Sequence, residues 1–143
     1  MEYYGRNLIK IDYDGKDIDK YIKKAYPILE ILAYRFKFEL VDVLRTTHGY
    51  HIYLNCYLRD DIARKEKIVD KELDLADRLL LETLLYGDVR KQAICYVEKE
   101  DILFNSKRGK TAFRDEKAKK KLQRVLDRIN RNKYNYVHIS LNK

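Results

Sequence analysis

Apolar positions along this chain change period from two to about three and a half and back, and each change marks a predicted element. Leu8-Ile9-Lys10-Ile11-Asp12-Tyr13-Asp14-Gly15 is an apolar run closing on two acids and a turn, so the pattern predicts a strand with Asp12 and Asp14 on one face. From Lys16 to Phe38, Ile18, Ile22, Ala25, Ile28, Leu29, Leu32 and Ala33 recur at steps of three and four, a helix capped by Asp17 and kinked or divided at Pro27. Phe38–Arg45 and Tyr50–Leu58 then alternate as two strands around Thr47-His48-Gly49, which makes a hairpin. Asp60–Leu85 carries a helical apolar face and ends at Gly87. Gln92–Glu98 reads as a further strand, Ile102–Phe104 as a short one, Phe113–Asn130 as a basic helix and Tyr134–Leu141 as a closing strand.

The first six elements therefore run strand, helix, strand, strand, helix, strand. That order predicts an α+β fold of the RRM-like, ferredoxin-like βαββαβ kind: an antiparallel sheet with helices on one face, extended by the basic helix and a short strand. In that topology the first and third strands lie side by side in the middle, and the fourth flanks the first. Asp12 and Asp14 at the end of the first strand, His51 at the start of the third and Asp88 before the fourth would then meet at one edge.

The length of 143 residues suits one compact domain, read here as a core over 1–104 and a basic extension over 105–143 packed on it. No stretch approaches the roughly 18 apolar residues that span a bilayer, so no membrane partner and a cytoplasmic location are expected. Cys56 and Cys95 sit in apolar runs without metal-ligand spacing, which predicts buried free thiols. Richness in Lys, Arg and Glu resembles the composition of thermophile proteins.

Charge changes the picture more. The net +8 lies entirely in the tail, where residues from Asn105 onward hold 13 Lys/Arg against 3 Asp/Glu. A basic block on a balanced domain is the footprint of a polyanion, with DNA or RNA as the default partner. Lys107, Arg108 and Lys110 precede the predicted helix. Arg114, Lys117, Lys121, Arg124, Arg128 and Arg131 follow steps of three and four along it, forming one stripe, while Leu122, Val125, Leu126 and Ile129 form the docking face.

The candidate chemistry lies in the front half. Two carboxylates on one face at a strand end can share Mg2+ or Mn2+. Ile9-Lys10-Ile11-Asp12-Tyr13-Asp14 resembles the first motif of the archaeo-eukaryotic primase superfamily, an apolar strand ending in Asp-x-Asp. Arg45-Thr46-Thr47-His48-Gly49-Tyr50-His51-Ile52-Tyr53-Leu54 is similar to its second, and Gly87-Asp88-Val89-Arg90 to its third, although Gly87 stands where that family usually has an apolar residue. The resemblance implies a compact primase-polymerase core, similar to a reduced relative of plasmid or virus type. It implies metal ligands Asp12, Asp14 and Asp88, with His51 on a nucleotide phosphate beside Arg45 and Arg90. Nucleoside triphosphates would be substrates for metal-dependent nucleotidyl transfer. A metal-dependent nuclease, or a non-catalytic RRM-like module that binds DNA or RNA, is the alternative. His48 and His51, three apart, fall on opposite strand faces, unlike the paired histidines of rolling-circle endonucleases.

Overall fold

The computed structural model describes residues 7–69, 72–99 and 112–132. The elements are β1 (Leu8–Asp14), α1 (Ile18–Leu32), β2 (Phe36–Arg45), β3 (Gly49–Leu58), α2 (Asp60–Glu66), α3 (Leu75–Leu84), α4 (Val89–Glu98), β4 (Phe113–Arg114) and α5 (Glu116–Asn132). The strand readings at Ile102–Phe104 and Tyr134–Leu141 fall outside the described residues.

The fold is α+β, with a four-stranded antiparallel sheet in the order β1-β3-β2-β4. As the pattern predicted, β1 lies antiparallel to β3, in a register that runs from Leu8 opposite Asn55 to Asp14 opposite Gly49. On β2 a register shift between Leu40 and Asp42 inserts one residue against β3. Phe38 and Val43, five apart, would otherwise face opposite sides; the inserted residue lets both enter the same core. That core joins Ile9, Ile11, Tyr13, Ile52, Leu54 and Cys56 of the sheet to Tyr21, Ala25 and Leu29 of α1 and to Ala118, Leu122, Leu126 and Ile129 of α5. Thus α1 and α5 cover one sheet face, and the α5 docking residues are those the periodicity assigned. Asp17 caps α1, its Oδ1 accepting from Asp19 N and Lys20 N at 3.0 and 3.3 Å. The helix is not divided at Pro27; its buried face holds it against the sheet across the missing N–H.

Three expectations change. The helix over Asp60–Leu85 is two helices: Lys67 takes a left-handed conformation at φ 58° and closes α2, and Asp74 starts α3 by accepting from Asp77 N at 2.8 Å. Gln92–Glu98 is helix α4, not a strand. Its apolar run misled because Ile94, Tyr96 and Val97 are exposed, while the two buried residues, Gln92 and Cys95, stand three apart as a helix requires. The fourth strand is instead the two-residue β4, which pairs with β2 on the far side and leaves β1 at the edge.

The edge of β1 has a different cover. Glu82 of α3 is fully buried, and its Oε2 accepts the backbone N–H of Lys10 at 2.8 Å, the kind of donor a fourth strand would have engaged. Tyr21 Oη donates to the Leu85 carbonyl at 3.0 Å and ties the end of α3 to α1. At the turn into α4, Tyr86 rather than Gly87 has the left-handed backbone, at φ 70°. Gly87 is needed for room, because a Cβ there would stand 2.7 Å from the Glu82 carbonyl oxygen. Among the described residues, no helix is long and apolar enough to cross a membrane. Cys56 and Cys95 are buried and not disulfide-bonded, and burial pushes the Cys56 thiol up.

Candidate functional site

The face of the sheet away from α1 and α5 carries a small apolar cluster of Leu8, Tyr53, Val41 and Leu44. Lys10 lies over the Tyr53 ring at 5.8 Å from its centroid. Toward the carboxyl end of β1 that face turns polar. Asp12 and His51 are direct cross-strand partners, and His51 Nε2 lies 3.4 Å from Asp12 Oδ1. Lys91, in the first turn of α4, ion-pairs with Asp12 Oδ2. The Asp12 and His51 side chains are largely covered, at 15% and 17% exposure, whereas Lys91 is 46% exposed.

Burial by itself would raise the Asp12 carboxyl, and that is the largest single influence. Hydrogen bonds from His51 and Lys91, with their charges, together outweigh it and hold Asp12 well below the usual carboxylate range. Asp12 is therefore held as an anion at neutral pH.

The other residues singled out in the sequence are placed as follows. Asp14 ends β1 exposed, two residues from Asp12 and opposite Gly49. Asp88 is the N-cap of α4: its Oδ1 accepts from Arg90 N at 3.0 Å and Lys91 N at 3.3 Å. Arg90 is exposed in the same turn. Arg45 pairs across the ladder with Tyr50 while Leu44 pairs with His51, so alternation sends Arg45 and His51 to opposite faces. His48 is exposed in the hairpin turn. The structure thus unites Asp12 and His51, leaves Asp14, Asp88 and Arg90 outside that pair, and puts Arg45 on the opposite face.

Among the described residues, no group of three or more His, Cys, Asp and Glu is placed to hold a metal. The donors at hand point the same way. Both Asp12 oxygens are matched to side-chain nitrogens, and Asp88 spends an oxygen on helix amides. A divalent ion would have to displace Lys91. Lys91 is the member that sequence reasoning missed, since no local pattern ties a helix lysine to a strand carboxylate 79 residues away.

The second candidate surface is α5. Lys117, Lys120, Arg124, Arg128 and Arg131 are exposed on its outward side, opposite the buried Ala118, Leu122, Leu126 and Ile129. Two of the predicted cations are already engaged. Lys121 Nζ lies 3.0 Å from Asp19 Oδ2 of α1, and Arg114, on β4 and not on the helix, has Nε 3.4 Å from Asp42 Oδ2. Lys107, Arg108 and Lys110 lie outside the described residues. Compared with known proteins, the chain matches no family model, no curated protein and no solved structure. The two surfaces must speak through their own chemistry.

Proposed function

We propose that this chain is a nucleic-acid-binding protein whose contact surface is the outward side of α5. One observation carries the reading: five exposed cations sit on the side opposite the docking face, within an arc of about 100°. Asp127 and Glu116 lie at the margin of that arc, so it presents one sign of charge. From Lys117 to Arg131 the row is about 21 Å long at 1.5 Å per residue, long enough to follow several phosphates. The helix lies flat on the sheet through its apolar side, so the cations are held on a rigid support.

Replacing Arg124 and Arg128 together with Ala tests it. Binding to short nucleic acids of unrelated sequence should weaken alike for all, and the slope of log affinity against log salt should flatten by about two. An unchanged slope would return the excess charge to a role in solubility.

A second reading, primase-like nucleotidyl transfer, is favoured by the cross-strand pairing of Asp12 with His51, the two residues whose motifs carry the resemblance. Asp12 and Asp14 would hold the Mg2+ or Mn2+ once Lys91 has released Asp12, and His51 would contact the nucleotide phosphate. Nucleotide incorporation in manganese, lost by orders of magnitude in Asp12→Ala, supports this reading. Equal activity in the two proteins removes it and leaves the binding function standing.

A further inference from the structure

Ahead of the α5 cations stands an aromatic ring with no buried role. Phe113 opens β4 and is 68% exposed, although a phenylalanine gains most when covered. Across the ladder it pairs with Arg45, itself exposed at the end of β2, and directly opposed side chains share one sheet face. Arg45 has the same alternation as Val43, which enters the core beneath α1 and α5, so the ring and the guanidinium lie on the face that α5 packs against. The Asp115 N–H donates to the Val43 carbonyl at 3.0 Å and fixes the step from β4 into the helix. Phe113 is thus held three residues ahead of α5, whose outward side carries Lys117, Lys120, Arg124, Arg128 and Arg131.

We infer that the nucleic acid taken by α5 is single-stranded, with one unpaired base stacked on Phe113 and its backbone running along the helix. The inference rests on the nucleic-acid reading of α5 and deepens it. Cations alone would accept a duplex as readily, but inside a duplex both faces of each base are already stacked, and the ring could engage an internal base only by unpairing it. Stacking is tolerant of sequence because every base has a π face. Two amides of the helix agree: Gln123 Nε2 donates to Asp127 Oδ1 at 2.9 Å and Asn130 Nδ2 to the Phe38 carbonyl at 3.4 Å, so neither is turned outward to read a base edge. Selection is therefore for strandedness and not for sequence.

The natural chain has no tryptophan, so Phe113→Trp installs a single reporter at an exposed position where folding is not at stake. Its emission should be quenched by a short mixed-sequence DNA strand and not by the same strand annealed to its complement. Phe113→Ala should lose roughly 5- to 150-fold in affinity for the single strand and leave duplex affinity unchanged, whereas the Arg124 and Arg128 double variant weakens both. Duplex binding as tight as single-strand binding, an unquenched reporter, or a Phe113→Ala protein that binds the single strand normally would overturn the inference while leaving nucleic-acid binding in place. If neither form binds the natural protein, the reading of α5 itself fails and this one falls with it.

Discussion

Gly49→Ala tests the coupling between fold and candidate site at one atom. Gly49 opens β3 opposite Asp14, the last residue of β1, and a Cβ built there would stand 1.9 Å from the Tyr13 carbonyl oxygen and 2.7 Å from the Gly15 nitrogen. Both are backbone atoms, so no rotamer change relieves the clash; the end of β1 must move away by more than 1 Å to restore ordinary contact. That movement pulls at the hairpin, where Thr46 N donates to the Gly49 carbonyl at 2.8 Å and Gly49 N to Thr46 Oγ1 at 3.0 Å. Overpacking that displaces backbone costs about 1–3 kcal/mol or more, and each hydrogen bond weakened adds about 1 kcal/mol. Alanine offsets part of this, about 0.4–1 kcal/mol, by restricting the unfolded chain. The net expectation is a loss of about 3 kcal/mol, read as the shift of the urea midpoint at constant m, or about 6–12 °C in Tm for a chain of this size. Thr47→Ala in the exposed turn is the control and should stay within about 0.5 kcal/mol. Because Asp12 and His51 pair two residues further along the same ladder, amide exchange at His51 should accelerate in Gly49→Ala. A loss below about 1 kcal/mol with unchanged exchange would refute the close approach of β1 and β3 at this point.

Leu126 is 1% exposed beneath α5, and Leu126→Ala should cost about 2–5 kcal/mol by denaturant unfolding; a loss under about 1 kcal/mol would mean that α5 is not docked on the sheet. Asp88→Ala should cost about 1 kcal/mol as a lost helix cap, with Asp88→Ser restoring most of it; failure of serine to restore would point to a role for the carboxylate beyond capping. The depressed Asp12 carboxyl sets a pH dependence. Its folded value lies below the unfolded one of about 3.9, so the stability it contributes is fully present above that value and is lost as pH falls through it toward the folded value. The stability difference between the natural chain and Asp12→Asn should therefore shrink as pH is lowered from 6 to 3, and a constant difference would remove the His51 and Lys91 contacts from the account.

Much of this architecture was legible from local pattern. The period-2 run at Leu8–Asp14, the hairpin around Thr47-His48-Gly49 and the apolar stripe of α5 each encode their element within a few residues, because one buried face repeats at the period of the backbone. The adjacency of β1 and β3 followed from element order, and with it the meeting of Asp12 and His51. Where the reading failed, the deciding contact was distant in sequence. The run Ala93-Ile94-Cys95-Tyr96-Val97 has strand composition, and only the closure of the β1 edge by Glu82 and the capping of α4 by Asp88 make it a helix. The break between α2 and α3 turns on a lysine, Lys67, in a left-handed conformation that carries no glycine or proline signal. The site divides in the same way: Asp12 announces itself by sitting at a strand end, but its ion partner Lys91 arrives on another element, where α4 packs and not where any motif places it. Sequence by itself determined the buried faces of β1, β3 and α5 and the gathering of cations on α5, since each repeats within one element at the period of its backbone. Tertiary structure alone decided which edge of the sheet was closed and which cation Asp12 would hold, because those choices compare free energies between segments that meet only after folding.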